Sequence, residues 1–397
     1  MLQLAERLSR ISEPQTIKMA KLSRELKAQG IDIVDLSIGE PDFDTPAHIR
    51  EAAKKAIDEG FTHYTPVAGY PEVKKAVTLK LQRDNGLTYT PEQIVVSTGA
   101  KQSIANAVLS IINPGDEVII PTPYWVTYSE LVKLCQGVVK FIPCSFENTY
   151  KITPAQLEAA ITPKTRLFMF SSPCNPTGSV YSKEELEALA AVFAKHPQVY
   201  ILSDEIYEYI NYVGKHTSIA SIGDLQERTI IINGLSKGFA MTGWRLGYLA
   251  APLHIAKAAD KIQSQFTSAT CSITQKAAVT ALTGDLDTAH AMVTEFRNRR
   301  AFVYNAMKEI KGLVVNEPDG AFYMFPNVSA FFGKSAEGFT VNNADELCMY
   351  LLHKANVSLV TGAAFEQPDC LRMSYATSMD KLKEGLKRLK EGLEKLQ

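Results

Sequence analysis

The shortages in this chain are more informative than its composition as a whole. It lacks an excess of either charge: 42 basic residues stand against 43 acidic ones, for a net charge of −1. That excludes the strongly basic face of a nucleic-acid binder and the polybasic surface that docks on anionic lipid. Long hydrophobic runs are absent, since no uncharged apolar stretch approaches the roughly 18 residues of a spanning helix. The opening segment, residues 1–10, breaks its apolar stretch with charges and has no small-residue cleavage site, so it does not read as a secretory leader. Cys-x-x-Cys is absent too. The six cysteines, at 135, 144, 174, 271, 348 and 370, are too widely spaced for a zinc cage or a disulfide framework, and they read as reduced thiols in a cytoplasmic protein. Neither Gly-x-Gly-x-x-Gly nor a Walker-type Gly-x4-Gly-Lys-Ser/Thr occurs, which removes support for dinucleotide and P-loop readings. There is no low-complexity tract, charge block or internal repeat.

Apolar residues make up 46% of 397 positions, enough to bury a large core. At about 150 residues per domain, the length predicts two or three domains. Residues 12–29 read as a helix stopped by Gly30, and 31–38 as extended. The connector 39–46 is rich in turn residues, and Pro46 is placed to open a helix over 47–59. Strands are predicted over 93–97, 117–121, 138–142, 166–170, 199–203, 229–233 and 246–250. Helical stretches such as 101–112 and 182–195 lie between several of them. β-branched runs alternating with helices predict an α/β fold with a mostly parallel sheet between helices. Past Asp287 the texture changes to a charged helix (289–310), short strands (313–316, 320–325, 357–360, 370–375) and a Lys/Glu-rich amphipathic helix (379–396). This predicts a large domain over 46–288 and a smaller, discontinuous α+β domain built from 1–45 and 289–397.

In α/β sheets ligands gather at the carboxyl ends of strands. Four such ends carry unusual polar residues. Ser97-Thr-Gly-Ala-Lys101 joins a strand to a helix, where small residues and a helix N-terminus suit an anion; an ordinary βα turn is the competing reading. Ser172-Pro-Cys-Asn-Pro-Thr-Gly178 forms a rigid loop from which Asn175 can donate a hydrogen bond, or simply a structural turn. Ser203-Asp-Glu-Ile-Tyr207 places Asp204 at the end of an apolar run, where it needs a cation or several donors unless it caps a helix. Asn233-Gly-Leu-Ser-Lys237 sets a lysine among small and apolar neighbours. Desolvation there lowers an amine's pKa and frees it for carbonyl chemistry. Arg245, eight residues on, offers a planar fork suited to phosphate.

Taken together, the segments resemble the class I/II pyridoxal-phosphate aminotransferases of fold type I. The likeness runs from the lysine segment 233–247 through Pro123-Tyr-Trp125, Asn175-Pro-Thr-Gly178, Ser203-Asp-Glu-Ile-Tyr207 and Arg372-Met-Ser-Tyr-Ala376. Gly39-Glu-Pro-Asp-Phe43 and Tyr64-Thr-Pro-Val-Ala-Gly69 extend it over nearly the whole chain. Within the family it is nearest the bacterial-type subgroup that acts on aspartate. The resemblance implies a large domain with a seven-stranded, mostly parallel sheet.

It also implies pyridoxal 5′-phosphate (PLP) as cofactor, an electron sink for carbanions. By resemblance, Lys237 holds it covalently and moves the substrate's α-proton, and Asp204 pairs with the pyridine nitrogen. Asn175 and Tyr207 bond the phenolic oxygen, and Trp125 stacks on the ring. The phosphate is expected at Gly99, Ala100 and Lys101, with Arg245 as counter-charge and Tyr64 reaching across from the neighbouring subunit of a homodimer. A serine common three positions before the lysine is Gly234 here, so one phosphate hydroxyl is expected to be missing, and Ser236 is not a clear replacement. Arg372 is expected to grip the α-carboxylate with help from the Gly39 N–H. Trp125 and Asn175 also face the substrate, and Lys101 and Thr16 are expected to take its distal carboxylate. No metal is implied.

The activity implied is ping-pong transfer of the amino group between L-aspartate and 2-oxoglutarate, giving oxaloacetate and L-glutamate. Aromatic, alanine-type or prephenate/arogenate substrates are the alternative. Relatives that accept prephenate tend to carry an arginine where Ser12 stands, which points away from prephenate. A DNA-binding regulator built on this fold would need an additional helix-turn-helix segment and a basic face. A catalytically dead interaction protein would have lost Lys237 or Asp204.

Overall fold

The computed structural model describes residues 4–13 and 15–397. Residues 1–3 and Pro14, which falls within the helix predicted over 12–29, lie outside the described residues. The frame is a seven-stranded sheet, with strands named here in chain order: β1 (Ile94–Ser97), β2 (Glu117–Thr122), β3 (Val138–Pro143), β4 (Thr165–Ser171), β5 (Tyr200–Asp204), β6 (Thr229–Gly234) and β7 (Gly247–Ala250). Their spatial order is β1-β7-β6-β5-β4-β2-β3. The pairs β2–β3, β2–β4, β4–β5 and β5–β6 are parallel, while β7 runs antiparallel to both β6 and β1. The strands are β-branched, aliphatic or aromatic nearly throughout, and most are buried on both faces, as a sheet covered by helices on each side requires.

All seven predicted strands are present with ends shifted by a residue or so, and α1 (Gln15–Ala28) and α2 (Ala47–Asp58) match the predicted N-terminal helices. The amphipathic C-terminal helix is Met379–Glu394, capped by the Ser378 side chain, which accepts from the Lys381 N–H. It lays Leu382, Leu386, Leu389 and Leu393 into a second core beside the sheet. That core also holds a three-stranded antiparallel sheet of Val360–Thr361, Leu371–Ser374 and Tyr323–Met324.

Four short-strand expectations need correction. The run 320–325 reduces to Tyr323–Met324, and 357–360 divides into Val357–Ser358 and Val360–Thr361, which belong to different sheets. The extended reading of 31–38 reduces to the two-residue strand Val34–Asp35, which pairs with Val357–Ser358. The run 313–316 forms only a single bridge, Val314 to Asn327. The last two segments lie in the smaller core, where helices take up the apolar face that a longer sheet would need.

The sheet direction decides where the chemistry gathers. Six strands point one way, so the carboxyl ends of β1, β4, β5 and β6 (Ser97, Ser171, Asp204 and Gly234) share an edge, and reversed β7 begins there at Gly247. In register, Gly247 lies opposite both Ser97 and Gly234. A Cβ at Gly247 would overlap the backbone of Gly99 and Ala100, so glycine here lets the turn after β1 lie against the sheet. Among the described residues, no helix is long and apolar enough to cross a membrane.

Phe168, fully buried on β4, packs against Phe170 and Phe193 with both ring centroids at 5.3 Å. Phe168→Ala should therefore cost about 3–5 kcal/mol. An unchanged denaturation midpoint would show that this side of the sheet contributes little.

Candidate active site

A cavity of about 510 Å³ opens at the strand edge, between the large sheet and the smaller core. Its wall brings together Thr16, Gly39, Ala100, Lys101, Trp125, Asn175, Asp204, Tyr207, Lys237, Arg245 and Arg372, residues far apart in sequence.

Asp204 ends β5 and is buried. Its Oδ2 accepts from the Tyr128 hydroxyl at 2.7 Å and its Oδ1 from the Ile206 N–H at 3.2 Å. Burial outweighs these donors and raises its pKa to about 6. A carboxyl group in that state lacks a cation. Lys237 follows the end of β6, and its Nζ donates to the Gly39 carbonyl at 2.6 Å. Burial, reinforced by the Arg372 and Arg245 charges, brings its pKa down to about 8. The Gly39 carbonyl takes this bond and leaves the Gly39 N–H uninvolved in it.

Arg372, on the strand Leu371–Ser374, is buried between the rings of Tyr323 and Phe365, 4.6 and 5.3 Å from its Cζ. One terminal nitrogen donates to Asn175 Oδ1 at 3.1 Å and the other to the Ser37 carbonyl at 2.7 Å. Its Nε is buried without a partner. As a buried cation on the cavity wall, Arg372 suits a carboxylate entering the cavity. The Tyr207 hydroxyl lies 2.8 Å from that of Tyr323.

The helix Ala100–Ile111 starts at Gly99, whose φ is +85°. A side chain at Gly99 would collide with the Arg245 guanidinium, which lies over this turn. The unpaired N–H groups of a helix start and an arginine together make an anion site. The Arg245 fork is steadied by a 2.9 Å bond to the Thr242 carbonyl. Lys101, in the first turn, holds its Nζ 4.9 Å from the Trp125 ring centroid. At Gly234 a Cβ would press on the backbone of Leu246 and Gly247, which accounts for glycine where a serine was anticipated. Ser236 is on the cavity wall instead.

Tyr64 stands apart. It is 98% exposed and does not line this cavity. Tyr128, Tyr323, Arg24, Glu40 and Thr242 line the cavity without having been singled out from the sequence. Arg24 follows Thr16 and Ala20 at helical spacing on α1, and that spacing was the available signal.

The buried trio Glu205, Glu208 and His216 is close enough to share a cation. Protein groups already serve it: Lys80 pairs with Glu208, and Ser203 and Ser218 donate to Glu205 at 2.8 and 2.6 Å. The trio does not line the cavity.

The donor set therefore fits a flat, phosphorylated cofactor with a basic ring nitrogen: a buried carboxyl short of a cation, a deprotonatable amine, and an anion site at a helix start. Comparison with known proteins agrees with this chemistry. The family described as "Aminotransferase class I and II" matches residues 31–389. The chain is 47% identical over 397 residues to a bifunctional aspartate aminotransferase and glutamate/aspartate-prephenate aminotransferase from Petunia hybrida, covering 98% of this chain and 82% of that one. It superposes on the crystal structure of the aspartate aminotransferase from Rhizobium meliloti with a TM-score of 0.97 at 42% identity, covering 100% of both chains. It superposes on the aspartate aminotransferase of Thermus thermophilus with maleate with a TM-score of 0.92 at 38% identity, over 99% of this chain and 100% of that one.

Because the Asp204 pKa is raised, the unfolded carboxyl ionises first as pH climbs. The cofactor-free fold should lose stability between about pH 4 and pH 6 and then level off. Cofactor-free Asp204→Asn should escape that loss and exceed the wild type by about 3 kcal/mol above pH 6, an upper bound from the shift. Thermal midpoints of the two proteins that stay parallel from pH 4 to 8 would contradict this.

Proposed function

The chain belongs to the class I and II aminotransferases, and from that premise we propose that it is a PLP-dependent aspartate aminotransferase using 2-oxoglutarate as acceptor. The observation that carries this reading is the meeting of Lys237, Asp204 and Arg372 on one cavity wall.

When bound, PLP supplies an electron sink for the substrate's α-carbon. Lys237 would attach it, and once the substrate's amine displaces Lys237 from the cofactor, the freed lysine amine would take and return the α-proton. Asp204 meets the protonated ring nitrogen, the cation it lacks, while Tyr128 keeps the carboxylate oriented. Asn175 and Tyr207 hold the phenolic oxygen, and Trp125 covers the ring. Arg245 and the Gly99-Ala100-Lys101 turn hold the phosphate, and Ser236 is a hydroxyl on the same cavity wall. Arg372 takes the α-carboxylate with two parallel hydrogen bonds from its guanidinium, and Lys101 with Thr16 takes the distal carboxylate. Support for a dicarboxylate comes from the Thermus relative, solved with maleate.

Tyr64, exposed on its own chain, is assigned to the phosphate of a partner subunit in a homodimer. The chain is divided into a large domain over 46–288 and a small one over 1–45 and 289–397. Six free cysteines support a cytoplasmic location.

Prephenate as an additional acceptor is a second reading, favoured by the named activity of the Petunia relative. Against it, Ser12 does not line the cavity and its N–H is engaged with Glu130 at 2.6 Å. Amino transfer from glutamate to prephenate at a rate matching oxaloacetate formation would establish it.

Borohydride reduction of the reconstituted protein, followed by digestion, should leave a pyridoxyl tag on the Lys237 peptide; an untagged peptide would overturn the reading. Lys101→Ala should lower kcat/KM for aspartate by about tenfold or more, the cost of one charge-assisted bond. Phenylalanine turnover should be nearly unchanged. Equal losses for both donors would remove Lys101 from the distal site.

A further inference from the structure

Tyr323 sits where three parts of the cavity meet. It pairs in register with Ser374, and Arg372 lies two residues before Ser374, so Tyr323 and Arg372 share a face of the small sheet. The Tyr323 ring forms a shelf 4.6 Å from the guanidinium carbon. Its hydroxyl reaches across to the large sheet and lies 2.8 Å from that of Tyr207. A Cβ at Gly39 would come within 2.7 Å of the same oxygen, so glycine at 39 leaves that hydroxyl its place. Gly39 in turn accepts from Lys237. Both phenols are buried.

Of two hydroxyls in contact, one donates and the other accepts. Tyr207 has a single proton, which on the proposed reading goes to the phenolic oxygen of PLP, so toward Tyr323 it can only accept. Among the described residues, the Tyr323 hydroxyl has no acceptor other than Tyr207. The polarity therefore runs from Tyr323 to Tyr207.

We infer that Tyr323 is a positioning residue whose hydroxyl donates to Tyr207 and so leaves the Tyr207 proton free to point into the cavity, at the phenolic oxygen of bound PLP. The inference rests on the proposed cofactor reading and adds to it a link between the carboxylate clamp and the cofactor's electronics. Without that donated bond the Tyr207 hydroxyl is less polarised and less firmly aimed, and so a weaker donor. A weaker donor at the phenolic oxygen then lets the cofactor hold its proton to higher pH.

The test is a pH titration of the holoenzyme's visible absorbance. Tyr323→Phe keeps the shelf under Arg372 and removes one hydroxyl. Its midpoint should move up by about half a unit to one unit, the range of a single hydrogen bond, while KM for aspartate stays within about twofold because the clamp is intact. Tyr207→Phe should move the midpoint further in the same direction. The double variant should match Tyr207→Phe alone, since one residue acts through the other. An unmoved midpoint in Tyr323→Phe, or a double variant whose shift is the sum of the two singles, would overturn the inference. A wild-type protein that takes up no cofactor and shows no visible band would instead overturn the cofactor reading, and this inference with it.

Discussion

Everything in this cavity depends on setting a buried carboxyl group and a half-buried amine on one wall. Desolvation drives both toward their neutral forms, raising the pKa of Asp204 and lowering that of Lys237. Neither is at rest without a ligand. Asp204 has two donors and no direct cation, and Lys237 leans on a backbone carbonyl. Arg372 shows the same incompleteness, with two nitrogens bonded and one orphaned. These unmet demands are the structural record of what the site is built to receive, because buried polar groups are normally satisfied.

Strand direction meets those demands. Had β7 run parallel to its neighbours, its first residue would lie at the opposite edge, and Arg245 would be carried away from the Gly99 turn. Antiparallel β7 instead brings residue 245 back beside the helix start, in a left-handed backbone conformation with φ of +55°. The glycines at 234 and 247 let backbone segments approach more closely than side chains would allow, and Gly99 leaves room for the Arg245 guanidinium. The same crowding explains why residue 234 carries no hydroxyl.

Much of this was legible in the sequence because it is local. β-branched runs marked all seven central strands, and polar residues at their ends marked Ser97, Asp204 and Lys237. Family motifs pointed to Asn175, Tyr207, Arg245 and Arg372, which line one cavity. Less legible was whatever depends on packing between distant segments. The short strands of the smaller core have too few residues to show a period. Tyr128 and Tyr323 read as ordinary core aromatics, and each is defined only by a hydroxyl contact that spans 76 or 116 positions. Tyr64 is the opposite case: a motif residue that nothing within its own chain explains.

Substrate choice follows from the balance of charge on the wall. Arg24, Lys101, Lys237, Arg245 and Arg372 line the cavity against only Glu40 and Asp204, in a chain whose overall charge is −1. The surplus is therefore local, and a cleft with low-dielectric walls concentrates such a field. On the proposed assignments, the phosphate meets Arg245, the α-carboxylate meets Arg372, and Asp204 is matched by the ring nitrogen. The Glu40 carboxylate accepts from the Thr242 hydroxyl at 2.7 Å. Lys101 and Arg24 then remain as the cations on the wall without an assigned partner. On that reading a substrate with a second carboxylate can meet them, and one with a neutral side chain cannot.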